Sequence, residues 1–157
     1  MAVFKQSPYE KYITRNLHLP WHPHLREVSK PVMVFGHDGS QHSPKFRITW
    51  WAITEPFVME PEPMVHDDFD QFLIFLGGDI NNMLDLGGVV ELTLQEEGKD
   101  PETIVLTTGA VIYIPAGLKH CPLVFKEVRD PAKPILFQDM FFAPEYGRRI
   151  ISQGAQG

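Results

Sequence analysis

The chain has 157 residues, is 43% hydrophobic and carries a formal net charge of -6. That length supports one domain, with roughly 70% of the unfolded chain's surface buried on folding, and leaves little room for two. The acidic balance and scattered Lys and Arg argue against a nucleic-acid partner, because phosphate contacts need clustered cations.

No stretch approaches the roughly 20 apolar residues of a membrane helix, and the N-terminal residues lack the apolar core of a secretion signal. The single cysteine, Cys121, has no internal partner, which fits a reducing compartment. The expectation is a soluble, cytoplasmic protein with no membrane partner. Fourteen prolines and twelve glycines, spread along the chain, disfavour long helices.

Residues 1–45 carry Pro8, Pro20, Pro23, Pro31 and Pro44 and show little periodicity. They are expected to form an irregular arm, with one short helical turn near Tyr9–Thr14. The arm holds His18, His22, His24, His37 and His42. Residues 46–142 then read as a series of short strands. Phe46–Ile53 (FRITWWAI) is aromatic and β-branched. Gln71–Leu76 (QFLIFL) is an apolar run stopped by Gly77-Gly78. Val89–Leu94 alternates, and Thr103–Leu106 follows Asp100-Pro101. Val111–Ile114, Leu123–Val128 and Ile135–Phe142 complete the series. Many short strands with Gly and Pro between them predict an all-β sandwich or barrel. Residues 143–157 are expected to be a tail.

The stretch GAVIYIPAGLKH, Gly109 to His120, places a strand between two turns and a histidine three residues after Gly117. This resembles the second motif of the cupin superfamily at every defined position. The Asn that often follows four residues after the histidine is Val124 here. The first cupin motif pairs His-x-His with a Glu, a hydrophobic strand and a Gly. Here Met64 falls at the first histidine, His66 at the second and Gln71 at the glutamate. The best register needs one extra residue near Asp67-Asp68. The run DFDQFLIFLGGD also resembles a group of small single-domain microbial cupins.

The resemblance covers about residues 45–142. It implies a single cupin jelly roll, a double-stranded β-helix barrel that is commonly a homodimer. FRITWWAI would be a suitable edge strand for such pairing. It also implies a divalent transition metal (Fe, Mn, Ni, Zn or Cu) held by imidazoles and a carboxylate. The residues that match are His66, Gln71 and His120. Met64, Asp68, Asp70 and the arm's His22 and His24 are further candidates. Met sulfur is soft and suits Cu(I) better than Mn or Fe. Phe75, Tyr113 and Trp51 are expected to line the pocket, among aromatics that are otherwise core. Asp68 and Asp70 would more simply form turns. Cys121 is expected to be a small buried residue.

The implied function is action on a small molecule. Loss of the carboxylate favours non-redox chemistry, of isomerase, cyclase or lyase type, on a small organic acid or aromatic. The alternatives are a non-catalytic cupin that binds a small apolar ligand and a metal-dependent dioxygenase. A DNA-bound sensor would need a helix-turn-helix, for which residues 1–45 are too broken by proline.

Overall fold

The computed structural model describes residues 7–13, 15, 17, 25–28, 32–36, 45–143 and 146–151. In chain order the strands are β1 (Met33–Phe35), β2 (Arg47–Ile53), β3 (Phe57–Glu60), β4 (Met64–Val65), β5 (Gln71–Gly77) and β6 (Asp85–Gln95). They continue with β7 (Glu102–Thr108), β8 (Ala110–Ile114), β9 (Lys119–Val128), β10 (Ile135–Phe141) and β11 (Arg149–Ile150). A short 3-10 turn at Glu10–Tyr12 is the helical segment expected in the arm. No described helix is long and apolar enough to cross a membrane.

Two antiparallel sheets form the barrel. One runs β1-β2-β10-β5-β8 and the other β11-β4-β9-β6-β7, with β3 also pairing β9. Alternation fixes which residues face inward. On β5, Gln71, Leu73, Phe75 and Gly77 are buried, and the residues between them are partly exposed. The core joins both sheets through Phe75, Phe125 and Phe137. Their rings pack with Phe75–Phe137 centroids 5.1 Å apart and Phe125–Phe137 centroids 5.8 Å apart in an edge arrangement.

The arm is not wholly irregular. β1 pairs with β2, Val28 bridges Ile53, and Val28, Val32 and Val34 are buried. The prolines around them masked a short run of valines whose apolar area drives the docking. This pairing also removes β2 from the edge. FRITWWAI lies between β1 and β10, so it cannot offer its backbone to a second chain as expected. His18, His22, His24, His37 and His42 lie outside the described residues.

Candidate metal centre

Three strands of one sheet place inward residues in register. Arg47, Phe141 and Gln71 lie side by side across β2, β10 and β5. Thr49, Asp139 and Leu73 form the next row, and Trp51, Phe137 and Phe75 the third. The opposite wall comes from β4 and β9, where Met64 faces His120. Between the walls is a cavity of about 760 Å³.

The cavity has a polar end and an apolar end. Leu25, Trp51, Phe57, Leu123 and Phe137 line the apolar part. His66, His120, Gln71, Arg47, Asp139 and Tyr146 form the polar part. His66 and His120 are each 2% exposed, and their ring centroids stand 5.0 Å apart.

Each imidazole is held from behind. The Nδ1 of His66 donates to the carbonyl of Gly147 at 2.7 Å, and the Nδ1 of His120 donates to the carbonyl of Leu118 at 2.9 Å. This leaves Nε2 of each ring as the atom that could serve as a ligand. The two cupin-like stretches are also tied together. The Gly117 N–H donates to the His66 carbonyl at 2.8 Å, in a turn where Gly117 has φ +85°. A residue with a Cβ would strain that turn.

Burial lowers both histidines, because it penalises the charged ring. His120 falls to about 4, opposed by the Leu118 carbonyl and aided by His66. His66 is lowered too, opposed by the Gly147 carbonyl and the Gln71 side chain. Both rings are therefore neutral near pH 7, the state that binds metal.

Among the described residues, His66 Nε2 and Gln71 Oε1 are buried polar atoms with no hydrogen-bond partner. A buried lone pair without a partner is costly, and a bound cation is one way to satisfy it. Two imidazoles that share one ion at about 2.0–2.1 Å per Zn–N bond hold their ring centres roughly 4.5–5.2 Å apart, which matches the observed pair. Among the described residues no group of three His, Cys, Asp or Glu is placed to hold an ion, and the Gln71 amide is the further oxygen donor that lines the cavity with the two imidazoles. His66, His120 and Gln71 together fit such a group.

The further candidates divide. Met64 is 2% exposed, lines the cavity and accepts a long contact from the Tyr146 hydroxyl at 3.9 Å. Asp70 is outside the cavity. Its carboxylate accepts from the Tyr113 hydroxyl at 3.0 Å and the Ala116 N–H at 2.9 Å, bracing the Pro115-Ala116-Gly117 turn. Asp68 is exposed and does not line the cavity.

Trp51 lines the cavity, with its indole N–H on Thr49 Oγ1 at 2.8 Å. Phe75 and Tyr113 do not. Phe75 is fully buried in the core below the cavity floor. Tyr113 is 51% exposed, because it follows the outward phase of β8 while Ile114 faces in. Cys121 lines the wall, and burial pushes its thiol up to about 12, so it is no nucleophile.

Asp139 was missed in the sequence reading. It sits on the inward face of β10 and accepts from Gln71 Nε2 at 2.8 Å. Burial raises its carboxyl to about 6, against the pull of Gln71 and Arg47. The signal was available. Ile135, Phe137, Asp139 and Phe141 share one face of an alternating strand, and an acid in that company is an acid facing inward.

No family model matches the chain, and no curated protein matches it. Among solved structures, oxalate decarboxylase from Lactobacillus farciminis, as a formate complex, matches 82% of this chain and 32% of its own at 14% identity, TM-score 0.52. A variant of Bacillus subtilis oxalate decarboxylase matches 82% of this chain and 29% of its own at 14% identity, TM-score 0.51.

The fold is that of the cupins.

The chain spans about a third or less of the length of those two proteins. At that identity the likeness concerns the barrel alone. The proximity of His66 and His120 is a feature of this chain's own geometry.

Proposed function

We propose that this cupin is an enzyme that holds one divalent transition metal through His66, His120 and Gln71 and acts on a small organic acid or aromatic carboxylate. The unpartnered His66 Nε2 and Gln71 Oε1, buried in the same cavity as His120, carry the reading. When bound, such an ion supplies Lewis acidity toward a carbonyl or enolate oxygen. The protein's own residues do the rest. Backbone carbonyls hold both rings in one tautomer. Arg47, 8% exposed and lining the cavity, offers a cation to an anionic substrate. The apolar end accepts the hydrocarbon part and excludes water. A neutral amide in place of a carboxylate favours non-redox chemistry of isomerase, cyclase or lyase type over dioxygenase chemistry.

The apolar end also supports a second reading, a non-catalytic cupin that binds a small apolar ligand. Metal analysis of untagged protein separates the two. A stoichiometric transition metal, lost in His120→Ala, supports the enzyme. Trace metal that reconstitution with Mn, Fe, Ni, Zn or Cu does not raise, together with intact binding of an aromatic ligand, supports the second reading.

A further inference from the structure

A carboxylate of this cavity stands one strand away from Gln71. In the register of β5 and β10, Gln71 stands opposite Phe141, and Leu73 stands opposite Asp139. Asp139 is thus the diagonal neighbour of Gln71 on the cavity face, a distance that side chains span readily. Gln71 Nε2 donates to Asp139 Oδ1 at 2.8 Å. A carboxylate oxygen can only accept, whereas an amide has one donating and one accepting end. The contact therefore decides which end of the amide goes where. The nitrogen is bound to Asp139, and Oε1 is left buried and without a partner. Thr49 and Leu73 flank Asp139 in its row, and Arg47 lines the same cavity.

We propose that Asp139 is a positioning residue that turns the Gln71 amide so that its oxygen faces the ion site. This rests on the metal reading above. Asp139 does not touch the ion. It fixes the ligand atom and places one negative charge a hydrogen bond away from it. The pair divides between two residues what one ligating carboxylate would supply: a donor oxygen from Gln71 and a charge from Asp139.

The arrangement makes an exchange test available. In the full chain, stripped of metal and untagged, Zn²⁺ affinity is measured by calorimetry and the donor set by the visible spectrum of the Co²⁺ form. Asp139→Asn removes the orienting charge, since the new amide can offer either end. It is expected to weaken Zn²⁺ binding by about 10–100-fold, the usual cost of losing a group that holds a ligand in place, and to alter the Co²⁺ spectrum. Gln71→Glu alone sets two carboxylates in contact. The double exchange, Gln71→Glu with Asp139→Asn, restores one carboxylate and one amide and is expected to recover both affinity and spectrum.

Asp139→Asn that binds Zn²⁺ as tightly as the wild type overturns the proposal, and the metal reading survives. A double exchange no better than Asp139→Asn alone also overturns it. A wild type that binds no Zn²⁺, Mn²⁺ or Co²⁺ overturns the metal reading and this proposal with it. Should Asp139→Asn not fold, the wild type supplies a second measurement. The side-chain NH₂ of Gln71, followed by NMR in metal-free protein, is expected to exchange slowly with solvent. Exchange as fast as that of an exposed glutamine overturns the proposal.

Discussion

His66, just after β4, and His120, on the adjacent β9, stand with ring centroids 5.0 Å apart, and neither ring is held by a side chain at Nδ1. Two backbone carbonyls, from Gly147 and Leu118, set both tautomers. The ring orientations are therefore properties of the backbone trace and survive most side-chain changes nearby.

The acid response of the metal-free protein sets His66 and His120, both lowered by burial, against Asp139, raised by it. His120 has a folded value of about 4 against an ordinary 6.5. The unfolded chain takes that proton first, so stability is full above about pH 6.5 and falls by roughly 3 kcal/mol as pH drops to about 4. Asp139 has a folded value of about 6 against 3.8. Here the folded state takes the proton first, so stability rises by a comparable amount, roughly 3 kcal/mol, over about the same range. The two trends oppose each other in the wild type. Asp139→Asn leaves the histidine trend alone. The variant's Tm, followed by circular dichroism, should drop more between pH 7 and pH 5 than the wild type's. Equal drops would show that the two groups do not offset each other.

Arg47 should govern affinity for anions. It lies inside the cavity with its guanidinium 5.9 Å from the Phe141 ring centre. Benzoate is a suitable probe, since Trp51 lines the same space and reports occupancy by fluorescence. A charge-assisted hydrogen bond contributes about 1.5–3 kcal/mol, so Arg47→Met should weaken benzoate by about ten- to a hundredfold. Unchanged titration curves would remove Arg47 from substrate recognition.

Phe75 and Tyr113 should separate stability from binding. Phe75 is 0% exposed and packs on Phe125 and Phe137. Phe75→Ala should cost about 3–5 kcal/mol in urea unfolding. Tyr113 lies outside and loses one exposed hydrogen bond to Asp70. Tyr113→Ala should cost about 1 kcal/mol or less and leave metal and benzoate affinity unchanged.

Cys121 should be silent in the native state. It is 4% exposed, and burial pushes its thiol up to about 12. Dithionitrobenzoate at pH 8 should react with it only after denaturation, in a one-to-one ratio. Rapid native labelling would mean that the cavity wall opens.

The seven strands read from the sequence reappear because their apolar residues alternate or run without interruption, and period two is the whole requirement for a half-buried strand. The strand read as Val89–Leu94 starts four residues earlier, at Asp85. Gly88 within it is a point of close approach, where a Cβ would collide with the Glu127 carbonyl. β3 and β4 went unseen because each has four residues or fewer, too short for any period to register. Where a motif fixed spacing, at His66, Gln71 and His120, the residues do line one cavity. Asp139 had no motif, only a phase within its strand. The Gly147 carbonyl has no side-chain signature, so no pattern of residue types could announce it.

The contact between Gly147 and His66 joins residues 81 positions apart. Tyr146, whose ring centre is 5.2 Å from that of His66, comes from the same late segment, and β11 pairs directly with β4 beside them. During synthesis both imidazoles leave the ribosome well before the backbone that aims one of them. A nascent chain ending at Phe142 could close most of the barrel and still hold His66 without its Nδ1 acceptor. Competence at the mouth is therefore conferred late. A truncation or fusion near residue 146 would disturb the centre while leaving the core intact.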